Sequence, residues 1–134
     1  MAIFPTDDWL QELSKKINGD EHYAQVAHAW ESDLRFVVEP GGTQKETLYF
    51  YVDLWHGKCR QIFFEKDLEA RSPAFIFKAP YPTLIRVLNG ELDPMTALMT
   101  RKLGVQGNFV LLMRNVPTVL DFVRCCREVT TGVL

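Results

Sequence analysis

His56 and Cys59 stand with two residues between them, next to a Gly57 that suits a tight turn. A histidine and a thiol at that spacing are metal ligands, or a nucleophile with its base. A structural zinc site needs four ligands, usually as two close pairs, and no second pair follows. A nucleophilic Cys59 would need His22 or His28, and nothing in the sequence places either beside it. Cys125 and Cys126 are adjacent in a helical stretch, where neighbouring side chains diverge. The expectation is therefore a solvated His56, a small buried Cys59, no metal, no cofactor and no catalytic residue. Glu65, Asp67 and Glu69 are spaced as acid–base carboxylates can be, but they alternate with Lys66, Leu68 and Arg71 and read as a solvated connection. Gly90, Gly104 and Gly107 do not form a phosphate loop, since no Gly-rich turn opens a helix with Lys-Ser or Lys-Thr. Gly107 in an apolar stretch marks a bulge or a close backbone approach.

The elements that carry these groups follow from capping and periodicity. Thr6 caps a helix with Asp7 and Asp8 in its first turn, an apolar stripe of Trp9, Leu10, Leu13 and Ile17, and a stop at Asn18-Gly19. Asp20 caps a second helix with Tyr23, Val26, Ala27 and Trp30 on one side. Alternation then predicts strands: Leu34, Phe36 and Val38 against Arg35, Val37 and Glu39, and Leu48, Phe50, Val52 and Leu54 against Tyr49, Tyr51 and Asp53. Two shorter strands follow around Ile62 and Phe64 and at Phe75-Ile76-Phe77. Short turns between the first three make them antiparallel neighbours. Pro82 starts a helix with Leu84, Ile85, Val87 and Leu88. Asp93 and Pro94 cap and open another, with Met95, Leu98 and Met99 on one face and Ala97 at its edge. From Leu103 the period changes to two. Leu103, Val105, Gly107, Phe109, Leu111 and Met113 predict the apolar side of a long strand. Asn115 caps a last helix with Val119, Leu120, Phe122 and Val123. Strands grouped in this way predict an α+β fold, a mostly antiparallel sheet with helices on one face.

The chain has 134 residues, 47% of them hydrophobic and 24% charged, enough for one domain over 1–134 with a core of its own. A formal charge of −2 leaves no basic excess for a phosphate backbone, which argues against nucleic acid as a partner. No apolar run approaches the ~20 residues of a membrane helix. The opening MAIFPTDDW lacks the basic and apolar regions of a secretory signal. Three cysteines make no disulfide framework, so a reduced, cytoplasmic protein is the expectation.

Leu88 to Arg114 resembles the signature of the sterol carrier protein type 2 family, a G-x-x-(D/N)-P-x-x-A-(F/L)-(M/F)-x-x-K-L-x-(V/I)-x-G-(N/D) run. Gly90, Asp93, Pro94, Ala97, Leu98, Met99, Lys102, Leu103, Val105, Gly107 and Asn108 occupy it in order. The resemblance extends from about Glu46 to Cys126. Arg101 stands where the family usually has Gly, and Gly104 where a second Lys is usual. The resemblance implies a five-stranded sheet covered by helices around an apolar tunnel for a lipid tail.

An apolar surplus remains after the chemistry is accounted for. Met95, Met99 and Met113, with Leu84, Leu88, Phe109, Leu120 and Phe122, belong to elements expected to converge on one sheet face. By themselves they read as plain core. Three flexible thioethers also suit an adaptable apolar pocket, and the resemblance implies that part of this set lines a lipid cavity. The expected function is non-catalytic binding of sterols, fatty acyl chains or other apolar lipids, and their transfer through transient contact with membranes. Two alternatives stand beside it: a regulatory or interaction module on the same fold without a ligand cavity, and an enzyme using Cys59.

Overall fold

The computed structural model describes residues 2–134. Its main sheet has five strands: β2 (Glu31–Glu39), β3 (Leu48–Trp55), β4 (Lys58–Phe64), β5 (Phe75–Pro80) and β6 (Gly104–Gln106), in the order β4-β3-β2-β5-β6. All neighbours are antiparallel except β2 and β5, which run parallel with Leu34 opposite Phe75 and Phe36 opposite Phe77. The architecture is the expected α+β one. A separate pair, β1 (Ala2–Phe4) parallel to β7 (Thr130–Val133), was not legible from periodicity, because three or four residues are too few to show it.

The β3–β4 hairpin turns on His56 and Gly57, both at positive φ (51° and 79°), as a tight two-residue hairpin demands. The helices are α1 (Asp7–Gly19), α2 (Glu21–Val26), α3 (Tyr81–Leu88), α4 (Pro94–Met99), α5 (Phe109–Met113) and α6 (Val116–Val129). The predicted caps of α1, α2 and α4 are present: Thr6, Asp20 and Asp93 accept hydrogen bonds from the backbone N–H groups of Trp9, Tyr23 and Thr96. α1 buries Trp9, Leu10, Leu13 and Ile17 and lies against β4 and α6.

One element departs from expectation. The strand predicted over Leu103 to Met113 is three residues of β6 followed by the helix α5. Gly107 sits at φ 136° between them and breaks the extended path. The Asn108 side chain then caps the new helix, accepting from the Leu111 N–H at 3.0 Å. Phe-Val-Leu-Leu-Met has one β-branched residue in five, and a short apolar run does not reveal its period. The close approach read at Gly107 is real. A Cβ there would lie 2.5 Å from the Ala74 carbonyl oxygen and 2.6 Å from the Phe75 ring.

Candidate functional site

The residues with reactive side chains are committed elsewhere. Cys59 is buried, its Sγ donates to the Gln61 carbonyl oxygen, and its N–H donates to the Asn18 side chain. Burial pushes its thiol above the ordinary range, away from the thiolate that a nucleophile needs. None of the histidines faces it: His56 pairs with Glu31, His22 Nδ1 with Asp121 at 2.9 Å, and His28 with the Gln25 carbonyl. Burial also raises Cys125 to about 11, and Cys126 well above the usual value.

Asp20, Asp121 and Cys125 bring ligand-type atoms within 4.8 Å of one another. The Arg124 guanidinium already holds that place, 2.7 Å from each carboxylate. It also reaches Glu128, which with Asp20 binds Lys16. Arg124 holds the Asp20 carboxyl far below the usual range, helped by the Tyr23 N–H. Burial opposes the same shift at Asp121, but Arg124 and His22 prevail and lower it. The cluster is an ion-pair knot that joins α1, α2 and α6.

The solvated reading of Glu65 is corrected. Its carboxylate is fully buried and takes two hydrogen bonds from Arg35, at 2.7 and 2.8 Å. Arg35 also donates to the Leu68 carbonyl at 3.0 Å, so the pair clasps the β4–β5 connection to β2. An alternating charged segment hides such a partner, because Arg35 lies thirty residues away.

What remains is an apolar cavity between the sheet and the helices. The space open to the centre of a water molecule inside it comes to about 100 Å³. The sheet contributes Leu34 and Phe36 of β2, Phe50 of β3 and Phe77 of β5. Phe36 is the hub, half-buried at mid-strand, with ring centroids 4.9 Å from Phe50, 5.2 Å from Phe77 and 5.9 Å from Phe122. Trp9 and Tyr23 close one side; Leu84, Val87 and Leu88 of α3 close another. Leu98 of α4 and Leu112 of α5 form a third wall, and α6 supplies Val119, Phe122, Val123 and Cys126 at helical spacing. Two hydroxyls lie in this wall. Thr118 donates to the Val26 carbonyl, whereas the buried Tyr23 hydroxyl has no partner among the described residues.

Of the eight apolar residues singled out in the sequence, Leu84, Leu88 and Phe122 line this cavity. Met95 is partly buried against the core. Met99, Phe109, Met113 and Leu120 lie on the outside, and the expected convergence of the whole set on one sheet face is corrected accordingly. The reason is local. α4 is six residues long and turns Ala97 and Leu98 inward, leaving Met99 at its end 64% exposed. In α5 only Leu112 points in, so Phe109 and Met113 point out. Leu120 falls off the α6 stripe. The reading of the sequence missed the sheet aromatics Phe36, Phe50 and Phe77, though their inward alternation was the signal for them.

The described residues thus form an α+β fold, a mostly antiparallel five-stranded sheet packed with helices around an aromatic-floored apolar cavity. The model of the SCP-2 sterol transfer family matches residues 4–119, and the chain belongs to that family. It is similar to a crystal structure of sterol carrier protein 2 at 29% identity and TM-score 0.83, over 92% of this chain and 96% of that one. A conserved hypothetical protein of Thermus thermophilus, described as a candidate sterol carrier protein, is 30% identical with TM-score 0.85, over 98% and 92% of the two chains. The sterol carrier protein domain 2 of Helicoverpa armigera shares the fold at 18% identity and TM-score 0.63, over 90% and 87%. No curated protein matches the chain. Family membership supports lipid binding or transfer in general.

Proposed function

We propose that the chain, as one domain, is a non-catalytic carrier that takes the apolar part of a sterol, a fatty acyl chain or another lipid into the cavity under the sheet. The observation that carries this reading is the cavity wall, which holds no charged side chain and whose few polar groups are the Thr118 and Tyr23 hydroxyls, the Cys126 thiol and two indole N–H groups. Each methylene taken out of water contributes roughly 0.8 kcal/mol, so a long tail needs few polar contacts. An apolar cavity of ~150 Å³ takes up a molecule the size of benzene, so the space here, about 100 Å³, receives only the first few carbons as it stands. The remainder requires the wall to yield. α4 and α5, six and five residues long, are the elements that yield at the lowest cost. The three free thiols suit a reducing, cytoplasmic setting.

A fluorescent fatty acid titrated into the protein should bind with roughly micromolar affinity, near −8 kcal/mol. Tail ordering and lost translation keep that below the full transfer energy. Val123→Phe fills the cavity from α6. It should reduce affinity at least about tenfold, a change of ~1.4 kcal/mol, with thermal stability retained. Unchanged affinity in a stably folded Val123→Phe would place the ligand elsewhere.

A further inference from the structure

The apolar residues that miss the cavity are gathered on its outer wall. Four of the five residues of α5 are exposed: Phe109 by 39%, Val110 by 60%, Leu111 by 37% and Met113 by 37%. Met99 at the end of α4 is more exposed still, and both short helices pack on α6. A folded monomer rarely leaves a whole helix turn of large apolar side chains in water without a use for it. The charge along this stretch of chain is one-sided. From Pro94 to Leu120 the sequence holds Arg101, Lys102 and Arg114 and no acidic residue, although the whole chain carries −2. All three cations are exposed, and among the described residues none is in an ion pair. The acids that bracket the stretch are occupied: Asp93 accepts from the Thr96 N–H and hydroxyl, and Asp121 is buried under Arg124. Exposed bulky apolar groups and unpaired cations in one stretch of chain fit the boundary between acyl chains and anionic headgroups.

We propose that the outer face of α4 and α5, with Arg101, Lys102 and Arg114, docks on an anionic lipid bilayer. The same two helices present Leu98 and Leu112 to the cavity, so the docked face is the back of the cavity wall. Its exposed side chains enter the interfacial layer while the cations meet phosphate or carboxylate headgroups. A lipid then passes between bilayer and cavity across one or two helical turns without crossing water. This last step rests on the carrier reading; the docking does not.

The test is co-sedimentation with vesicles of phosphatidylcholine, with and without phosphatidylserine, run beside fluorescent fatty acid binding in solution. The parent should sediment with the phosphatidylserine vesicles and lose that binding as salt rises. Val110→Asp, at a site open to water, should lower vesicle partitioning at least about tenfold. The triple variant R101Q/K102Q/R114Q should lose the preference for phosphatidylserine. Both variants should keep the parent's thermal unfolding and its fatty acid binding in solution. Vesicle binding by Val110→Asp equal to the parent overturns the docking face, as does a parent that binds fatty acid and no vesicles; the latter leaves the carrier reading intact. Vesicle binding without fatty acid binding does the reverse. If Val110→Asp instead turns a dimer into a monomer in sedimentation velocity and leaves vesicle partitioning alone, the face joins two copies of the chain and the proposal is wrong.

Discussion

Arg101 adopts a φ of 60°, in the left-handed region where a Cβ is disfavoured and glycine is not. It is one of the two positions at which the sequence departs from the family run, so this departure has a definite conformational cost. Arg101→Gly should stabilise the protein by up to about 1 kcal/mol, the relief of strain less the extra entropy that glycine brings to the unfolded chain. Urea unfolding measures it, and a lower midpoint would contradict the account. Tyr23 is a second site of local cost. Burial of its unpartnered hydroxyl raises its ionisation beyond the usual range. Tyr23→Phe removes the unsatisfied group and keeps the ring, so it should be neutral or stabilising by up to about 1 kcal/mol. A loss of more than that in thermal unfolding would mean that the hydroxyl has a partner. Caps were legible in the sequence because Thr6, Asp20 and Asp93 act on N–H groups three residues away. The Arg35–Glu65 clasp was not, because ion pairs across a sheet leave no local mark.

Among the elements, α1, α2, α3, α4 and α6 and strands β2 to β5 were legible, since each is long enough or well enough capped to show its period. β6 and α5 were not. An apolar run with a glycine in it fits strand alternation on paper, and only the φ of Gly107 and the cap at Asn108 decide against it. That misassignment moved Phe109 and Met113 to the wrong side of the wall. The short elements α4, β6 and α5 should also be the least protected part of the fold. Their amides should exchange with deuterium faster than those of β2, β3 and β5, since one-turn helices are marginal without burial. Equal protection would contradict the idea of a yielding wall. The knot between α1, α2 and α6 sets the acid limit. Asp20, Asp121 and Glu128 are all held below their ordinary range in the folded state, chiefly by Arg124 and Lys16. Their contribution is complete above the unfolded carboxylate values, about 4, and is lost as pH falls from there through the folded values. The unfolding midpoint should therefore drop below about pH 4. Arg124→Gln should cost about 1–3 kcal/mol at neutral pH and flatten that slope. A slope as steep as the parent's would remove the knot as its cause.

At the scale of the whole molecule, sheet and helices enclose a cavity floored by Phe36, Phe50 and Phe77 and walled on one side by the short helices α4 and α5. The family signature over Leu88–Arg114 pointed to this architecture although its residues are mostly structural. Leu98, Gly107 and Asn108 set the wall; none of them does chemistry. The size of the cavity was beyond the sequence, because it depends on how the helices settle on one sheet. The most direct measurement is native mass spectrometry of the purified protein, with organic extraction and analysis of whatever is bound. The account predicts a single-tailed lipid or sterol at up to one molecule per chain, displaced by added fatty acid and reduced in Val123→Phe. A parent protein that carries no lipid, and takes up none when fatty acid is added below its micelle point, would contradict the central claim.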